Sequence, residues 1–135
     1  AAYAEALADS RRILGPDHTL TFHVRFKFVH ARDRLGDTDG ATHELGKIMA
    51  DQARVLGPDH LHVLGTRETI AARRGRSGDA VGAAQAFADL LADCQRVLGP
   101  DHTHTRFIRN QHQYWRGQIG LWKRLQLRRA APPTQ

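Results

Sequence analysis

The string Gly-Pro-Asp-His occurs three times, at 15–18, 57–60 and 99–102, and both separations are 42 residues. The match extends upstream, where Arg12-Ile13-Leu14, Arg54-Val55-Leu56 and Arg96-Val97-Leu98 lead into the motif and Asp9, Asp51 and Asp93 share a register. Arg25, Arg67 and Arg109 share another, downstream. A string held at constant spacing marks a repeat architecture, in which one supersecondary unit is stacked several times. The folding problem is therefore that of one 42-residue unit and its ends.

Each unit reads as two helices. Between Asp79 and Leu98 the apolar residues Ala83, Ala84, Phe87, Leu90, Leu91, Cys94, Val97 and Leu98 recur in steps that put them on one helical face. Leu45, Ile48, Met49, Val55 and Leu56 repeat the stripe one unit earlier, with Gln52 interrupting it, and Tyr3, Leu7, Ile13 and Leu14 end an earlier copy. Gly15, Gly57 and Gly99 suit a left-handed helix C-cap, and the proline after each cannot continue the helix. The aspartate of the motif is the expected cap of the next helix. A second turn recurs at Gly36-Asp37, Gly75–Asp79 and Gly117–Gly120. One stretch competes with this reading: Leu20, Phe22, Val24, Phe26 and Phe28 alternate as a strand would. A lone strand among helices leaves its backbone groups unpaired, so 19–35 is read as helix.

With these residues in view, the chain resembles the tetratricopeptide repeat (TPR) superfamily, in its 42-residue kinesin-light-chain-like class as found in actinobacterial proteins. The run from Ala92 to Gly117, ADCQRVLGPDHTHTRFIRNQHQYWRG, carries most of the likeness. The resemblance covers residues 1–120 or so. It implies an all-α, TPR-like solenoid of antiparallel helix pairs, about seven helices over residues 1–129, with a disordered tail at 130–135. It also implies a right-handed stack whose first helices line a concave groove for a peptide or partner domain. The family's proline after the histidine is replaced by Thr19, Leu61 and Thr103, and its first-helix asparagine falls on Lys27, Thr69 and Gln111.

If those three positions face the groove, helical spacing brings Thr66, Ile108, Arg73 and Trp115 with them. Arg25, Arg67 and Arg109 are added as a guanidinium ladder able to hold an acidic peptide by paired hydrogen bonds. The competing structural reading, in which each pairs with an acid on a neighbouring helix or lies solvated, is favoured.

Catalysis finds little support. The nine histidines include the pairs His60/His62 and His102/His104, spaced as metal ligands can be, but they recur with the turn motif and no Cys or acidic cluster accompanies them. Turn and cap roles are favoured, with no metal and no cofactor expected. Ser10 and Ser77 stand in no nucleophile-elbow sequence, Cys94 lies on the apolar stripe, and the glycine-rich 75–79 stretch lacks a phosphate-loop lysine. A single cysteine excludes an internal disulfide and fits a reducing cytoplasm. No apolar run reaches the roughly 20 residues needed to cross a bilayer.

The formal charge of +6 is unevenly distributed. Residues 1–102 hold 13 basic and 14 acidic side chains, whereas 103–135 hold seven basic and no acidic ones. Leu121, Trp122 and Leu125 read as the inner face of a separate capping helix. Lys123, Arg124, Arg128 and Arg129 are the alternative nucleic-acid contact, expected to be weak because few aromatics interleave the charges. The expected object is a bacterial, cytoplasmic, non-catalytic scaffold for a protein or peptide, a piece of a larger regulatory protein. Its open solenoid ends also allow self-association.

Overall fold

A computed structural model describes residues 2–130, and the side chains of residues 2–121, 123 and 125. Six helices make up the described chain: α1 (Ala2–Leu14), α2 (Thr19–Arg34), α3 (Thr38–Leu56), α4 (Leu61–Arg76), α5 (Ala80–Leu98) and α6 (Thr103–Ala130). They pack in sequence as antiparallel pairs, joined by short turns. Contacts divide them into two compact units, Ala1–Ile70 and Ala71–Gln135, with the boundary inside the continuous helix α4. No helix among the described residues is long and apolar enough to cross a membrane.

The turns explain why helices stop where they do. Gly57 closes α3 at φ 91, ψ 152 and Gly99 closes α5 at φ 89, ψ 160. Those angles are not the left-handed helical cap that the sequence pattern implies. Positive φ with extended ψ is a region essentially reserved for glycine, whereas the left-handed cap also accepts asparagine. Gly57→Asn and Gly57→Ala are therefore expected to destabilise alike, by roughly 1–3 kcal/mol in urea denaturation. An asparagine variant as stable as the parent would place Gly57 in the left-handed region after all.

The next helix is capped by the histidine, not by the aspartate before it. His18 Nδ1 accepts from the Leu20 N–H at 3.1 Å, His60 Nδ1 from His62 at 3.1 Å, and His102 Nδ1 from His104 at 3.0 Å. Each satisfies one of the free N–H groups of a helix start. Asp17 is taken by Arg54, whose Nη2 lies 2.9 Å from it; that guanidinium, chiefly through its hydrogen bond, holds the carboxyl below its ordinary value.

At the second turn Gly36 and Gly78 take φ of 87 and 101, and the following aspartate caps the helix. Asp37 accepts from the Gly40 N–H at 3.0 Å and from Arg32 Nε at 2.7 Å; Asp79 accepts from Gly82 at 2.8 Å and from Arg74 Nη2 at 2.8 Å. Both carboxyls are held below the usual carboxylate range, Asp37 chiefly by Arg32 and Asp79 chiefly by the Gly82 N–H. In the third unit the turn expected at Gly117–Gly120 does not form. Arg116 and Gly120 keep the register of Arg74 and Gly78, but Leu121 stands where Asp79 would be. Leucine can neither accept the capping N–H nor pair with the arginine, so α6 runs on for 28 residues. The separate seventh helix thus becomes the second half of the sixth. Ala130 is the last helical residue, and the proposed tail beyond it falls outside the described residues.

Each unit has its own core. In the first, Phe22, Val29, Ala41, Leu45 and Ile48 cluster, with Phe26 and Ile70 packed partly buried against them. In the second, α5 buries Ala83, Ala84, Phe87, Leu90 and Cys94, and α6 buries Thr105 and Ile108. The polar interruption at Gln52 is buried at 2% exposure and hydrogen-bonded, with Thr66 Oγ1 donating to its Oε1 at 2.6 Å. A buried amide so paired avoids the cost of an unsatisfied polar group.

Candidate functional site

An apolar concavity lies in the first unit, a hollow of about 340 Å³. Helix α2 supplies Thr19, Phe22, His23 and Phe26, α4 supplies Leu61, His62, Gly65 and Thr66, and α3 supplies Gln52. Phe26 is partly exposed, Leu61 is 56% exposed, and the floor of the hollow closes on Phe22, Gln52 and Thr66, each no more than 3% exposed. His23 and His62 are exposed.

Gly65 keeps this hollow open. It lies inside α4, where glycine costs roughly 1 kcal/mol against alanine, and an added Cβ would meet nothing within 4 Å. The same register carries His23 in the first unit and Phe107 in the third. The missing side chain is therefore empty space on the lining of the hollow, with no packing reason for the glycine. Gly75 is the opposite case, since a Cβ there would lie 2.3 Å from the Trp115 ring.

The residues expected to line a groove differ in exposure and in hydrogen-bond partners. Thr66 and Ile108 are 1% and 0% exposed: Thr66 is spent on Gln52, and Ile108 belongs to the second core. Arg25 is 4% exposed and pairs with Glu44 at 2.9 Å and Asp51 at 2.6 Å on α3, the structural reading of that position. Arg109 donates from Nη2 to the Pro100 carbonyl at 3.0 Å. Arg67 and Arg73 are half-buried, and Thr69 returns its hydroxyl to the Gly65 carbonyl at 3.1 Å. Trp115 packs on Gly75, and Gln111 is half-exposed.

Lys27 is exposed and lines a different concavity of about 810 Å³, with Tyr3, His30, Asp33 and Arg34. Of the alternative nucleic-acid set, Lys123 is exposed, while the side chains of Arg124, Arg128, Arg129 and of Trp122 fall outside the described residues. Among the described residues no three His, Cys, Asp or Glu side chains converge as metal ligands. Sequence reasoning missed Phe22, Phe26, Leu61 and Gly65. The glycine between Leu64 and Thr66 was the available signal, because a helix-interior glycine asks for a reason.

The turns, the helix pairs and an open hollow between two first helices define a helical-repeat scaffold. Residues 63–104, one full 42-residue unit, match the family model of the tetratricopeptide repeat. The chain is similar in structure to the kinesin light chain nearly identical TPR-like repeats of Podosopora anserina, with a TM-score of 0.68 and 17% identity. That similarity covers 84% of this chain and 54% of the other, so the chain spans about half the length of that neighbour and shares its TPR-like fold. No curated protein matches the chain in sequence. Repeats of this family generally serve protein–protein interaction.

Proposed function

We propose that the chain is a non-catalytic interaction module of a larger regulatory protein, and that its hollow seats a bulky apolar side chain of a peptide or partner domain. The observation that carries this reading is Gly65, a helix-interior glycine whose absent side chain leaves room beside Phe22, Phe26 and Leu61. Such a pocket supplies the anchoring site that interfaces use, while the polar rim of His23 and His62 meets the partner's backbone. The fully buried Cys94 thiol and the lack of any second cysteine suit a reducing bacterial cytoplasm.

The test uses peptides selected from a random display library on the parent protein, then measured by fluorescence anisotropy against two variants. Gly65→Leu fills the hollow and is expected to weaken the selected peptides by at least about tenfold, while the gain in helix propensity leaves the melting temperature equal or higher. Gly65→Ala is expected to bind nearly as the parent does. Peptides that bind Gly65→Leu as tightly as the parent, or that lack a bulky apolar residue, would refute the reading.

A further inference from the structure

Two departures from the repeat meet at one place in the first unit. The first is Gly65, which opens the hollow. The second is the polar pair at its floor. Ser10, Gln52 and Cys94 share a register, as do Thr21, Val63 and Thr105. Where threonine holds the second position it bonds back to the first: Ser10 Oγ lies 2.9 Å from Thr21 Oγ1, and Thr105 Oγ1 donates to the Cys94 carbonyl at 3.3 Å. In the middle copy Val63 has no hydroxyl. The longer Gln52 instead meets Thr66, a turn farther along α4, whose register carries Val24 and Ile108 in the other copies. Packing at that position accepts plain hydrocarbon, so the fold does not call for the amide–hydroxyl pair.

The pair leaves one polar group unspent. Thr66 is the hydrogen-bond partner of Gln52 among the described residues, and it takes one end of the amide. Gln52 is 2% exposed, yet its other end is not sealed. Among the described residues, the buried side-chain polar atoms without a partner are Arg73 Nε and Trp115 Nε1. The free amide end therefore meets the hollow that Gln52 lines together with Phe26 and Leu61.

An occupant that is hydrocarbon to its tip strips water from that amide and returns nothing, which costs the desolvation of the polar group. The matching occupant is an aromatic ring for the walls with a hydrogen-bonding group at its end. With Oε1 taken by Thr66 the free group is the Nε2 amide, a donor; with the amide turned over it is Oε1, an acceptor. A phenol hydroxyl serves both, an indole N–H only the second, and a phenyl ring neither.

We propose that the hollow selects tyrosine as the anchoring side chain of its partner, with Gln52 as the specificity-determining residue that receives the phenol hydroxyl. This selection rests on the hollow being an anchor site and adds the chemistry of its occupant.

Binding of p-cresol and toluene, the tyrosine and phenylalanine side chains without their backbone, is followed by NMR titration of the isotope-labelled protein. An apolar hollow with no hydrogen-bonding spot takes toluene more tightly, because the hydroxyl loses its water for nothing. The parent is expected to bind p-cresol at least about fivefold more tightly than toluene. Gln52→Leu is expected to invert that order. It leaves no orphan, since Thr66 Oγ1 also reaches the His62 carbonyl at 2.9 Å, and the equivalent Cys94 is apolar. Should Gln52→Leu not fold, the order in the parent decides. Gly65→Leu is expected to weaken both compounds by about tenfold or more. Toluene bound as tightly as p-cresol by the parent, with both excluded by Gly65→Leu, overturns the tyrosine selection and leaves the anchor site standing. A preference for p-cresol that survives in Gln52→Leu overturns the selection too. Absence of binding by either compound, or binding that Gly65→Leu does not weaken, overturns selection and anchor site together.

Discussion

Replacing Arg25 by alanine is expected to lower the unfolding free energy by about 3 kcal/mol, because it leaves buried carboxylate charge without its partner. The guanidinium side chain is 5% exposed and reaches Glu44 with its Nε at 2.9 Å and Asp51 with its Nη1 at 2.6 Å, while its plane lies 5.8 Å from the Phe22 ring centroid. Glu44 is only 14% exposed in its side chain and bears the loss; Asp51, at 37%, regains water and softens it. Arg25→Lys is expected to restore little, since one ammonium cannot reproduce a fork that spans two acids on α3. Arg25→Met combined with Glu44→Leu is expected to recover most of the stability, as apolar replacement of a whole buried pair often does. Urea denaturation followed by circular dichroism decides it. A single alanine variant within about 0.5 kcal/mol of the parent, the range of ordinary surface changes, would mean that the pair carries no net load.

The second large effect is expected at Phe87. Its ring is fully buried in the second unit beside Ala83, Ala84, Leu90 and Cys94 of the same helix. Phe87→Ala removes that apolar surface and leaves a cavity that small neighbours cannot close, for an expected loss of about 3–5 kcal/mol. Both tryptophans of the chain, Trp115 and Trp122, belong to this unit, so their fluorescence reads its unfolding directly. Val81→Ala on the same helix, at 65% exposure, is the control and is expected to change stability by no more than about 0.5 kcal/mol. A Phe87→Ala midpoint matching that of the control would remove Phe87 from the core.

Much of the architecture was legible because its causes are local. A glycine followed by proline ends a helix whatever surrounds it, and an aspartate three residues before a glycine N–H caps one. The helix expected at 19–35 shows where local reading strains. Its alternating apolar residues fit a strand, and the structure spreads them around a helix: Phe22 is in the core with Phe26 packed partly buried against it, Leu20 is 56% exposed, and Phe28 lies under the Arg32 guanidinium at 5.8 Å. Packing against α1 and α3 settles the question that the alternation leaves open. The seventh helix was misplaced for a local reason that the sequence does hold, since Leu121 occupies the cap position of Asp79.

The burial of the expected groove residues was not legible, and the reason is physical. Repeat register determines the rotation of a side chain about its own helix, but burial depends on what the neighbouring helix presents. Arg25 and Arg109 share a register, yet Arg25 is buried against two acids while Arg109 reaches a backbone carbonyl. The position of Glu44 is held by Ala86 one unit later and Arg128 two units later, so the environment cannot repeat. The hollow, likewise, is made by a side chain that is absent. The sequence by itself determined the 42-residue unit, the helix-ending turns before residue 103 and the uneven charge, because glycine backbone freedom, capping and composition act within a few residues. Only the tertiary structure decided that Gly65 opens onto Phe22 and Phe26, that Gln52 is buried against Thr66 and that Arg25 is locked to α3, because those outcomes depend on side chains brought together from different helices.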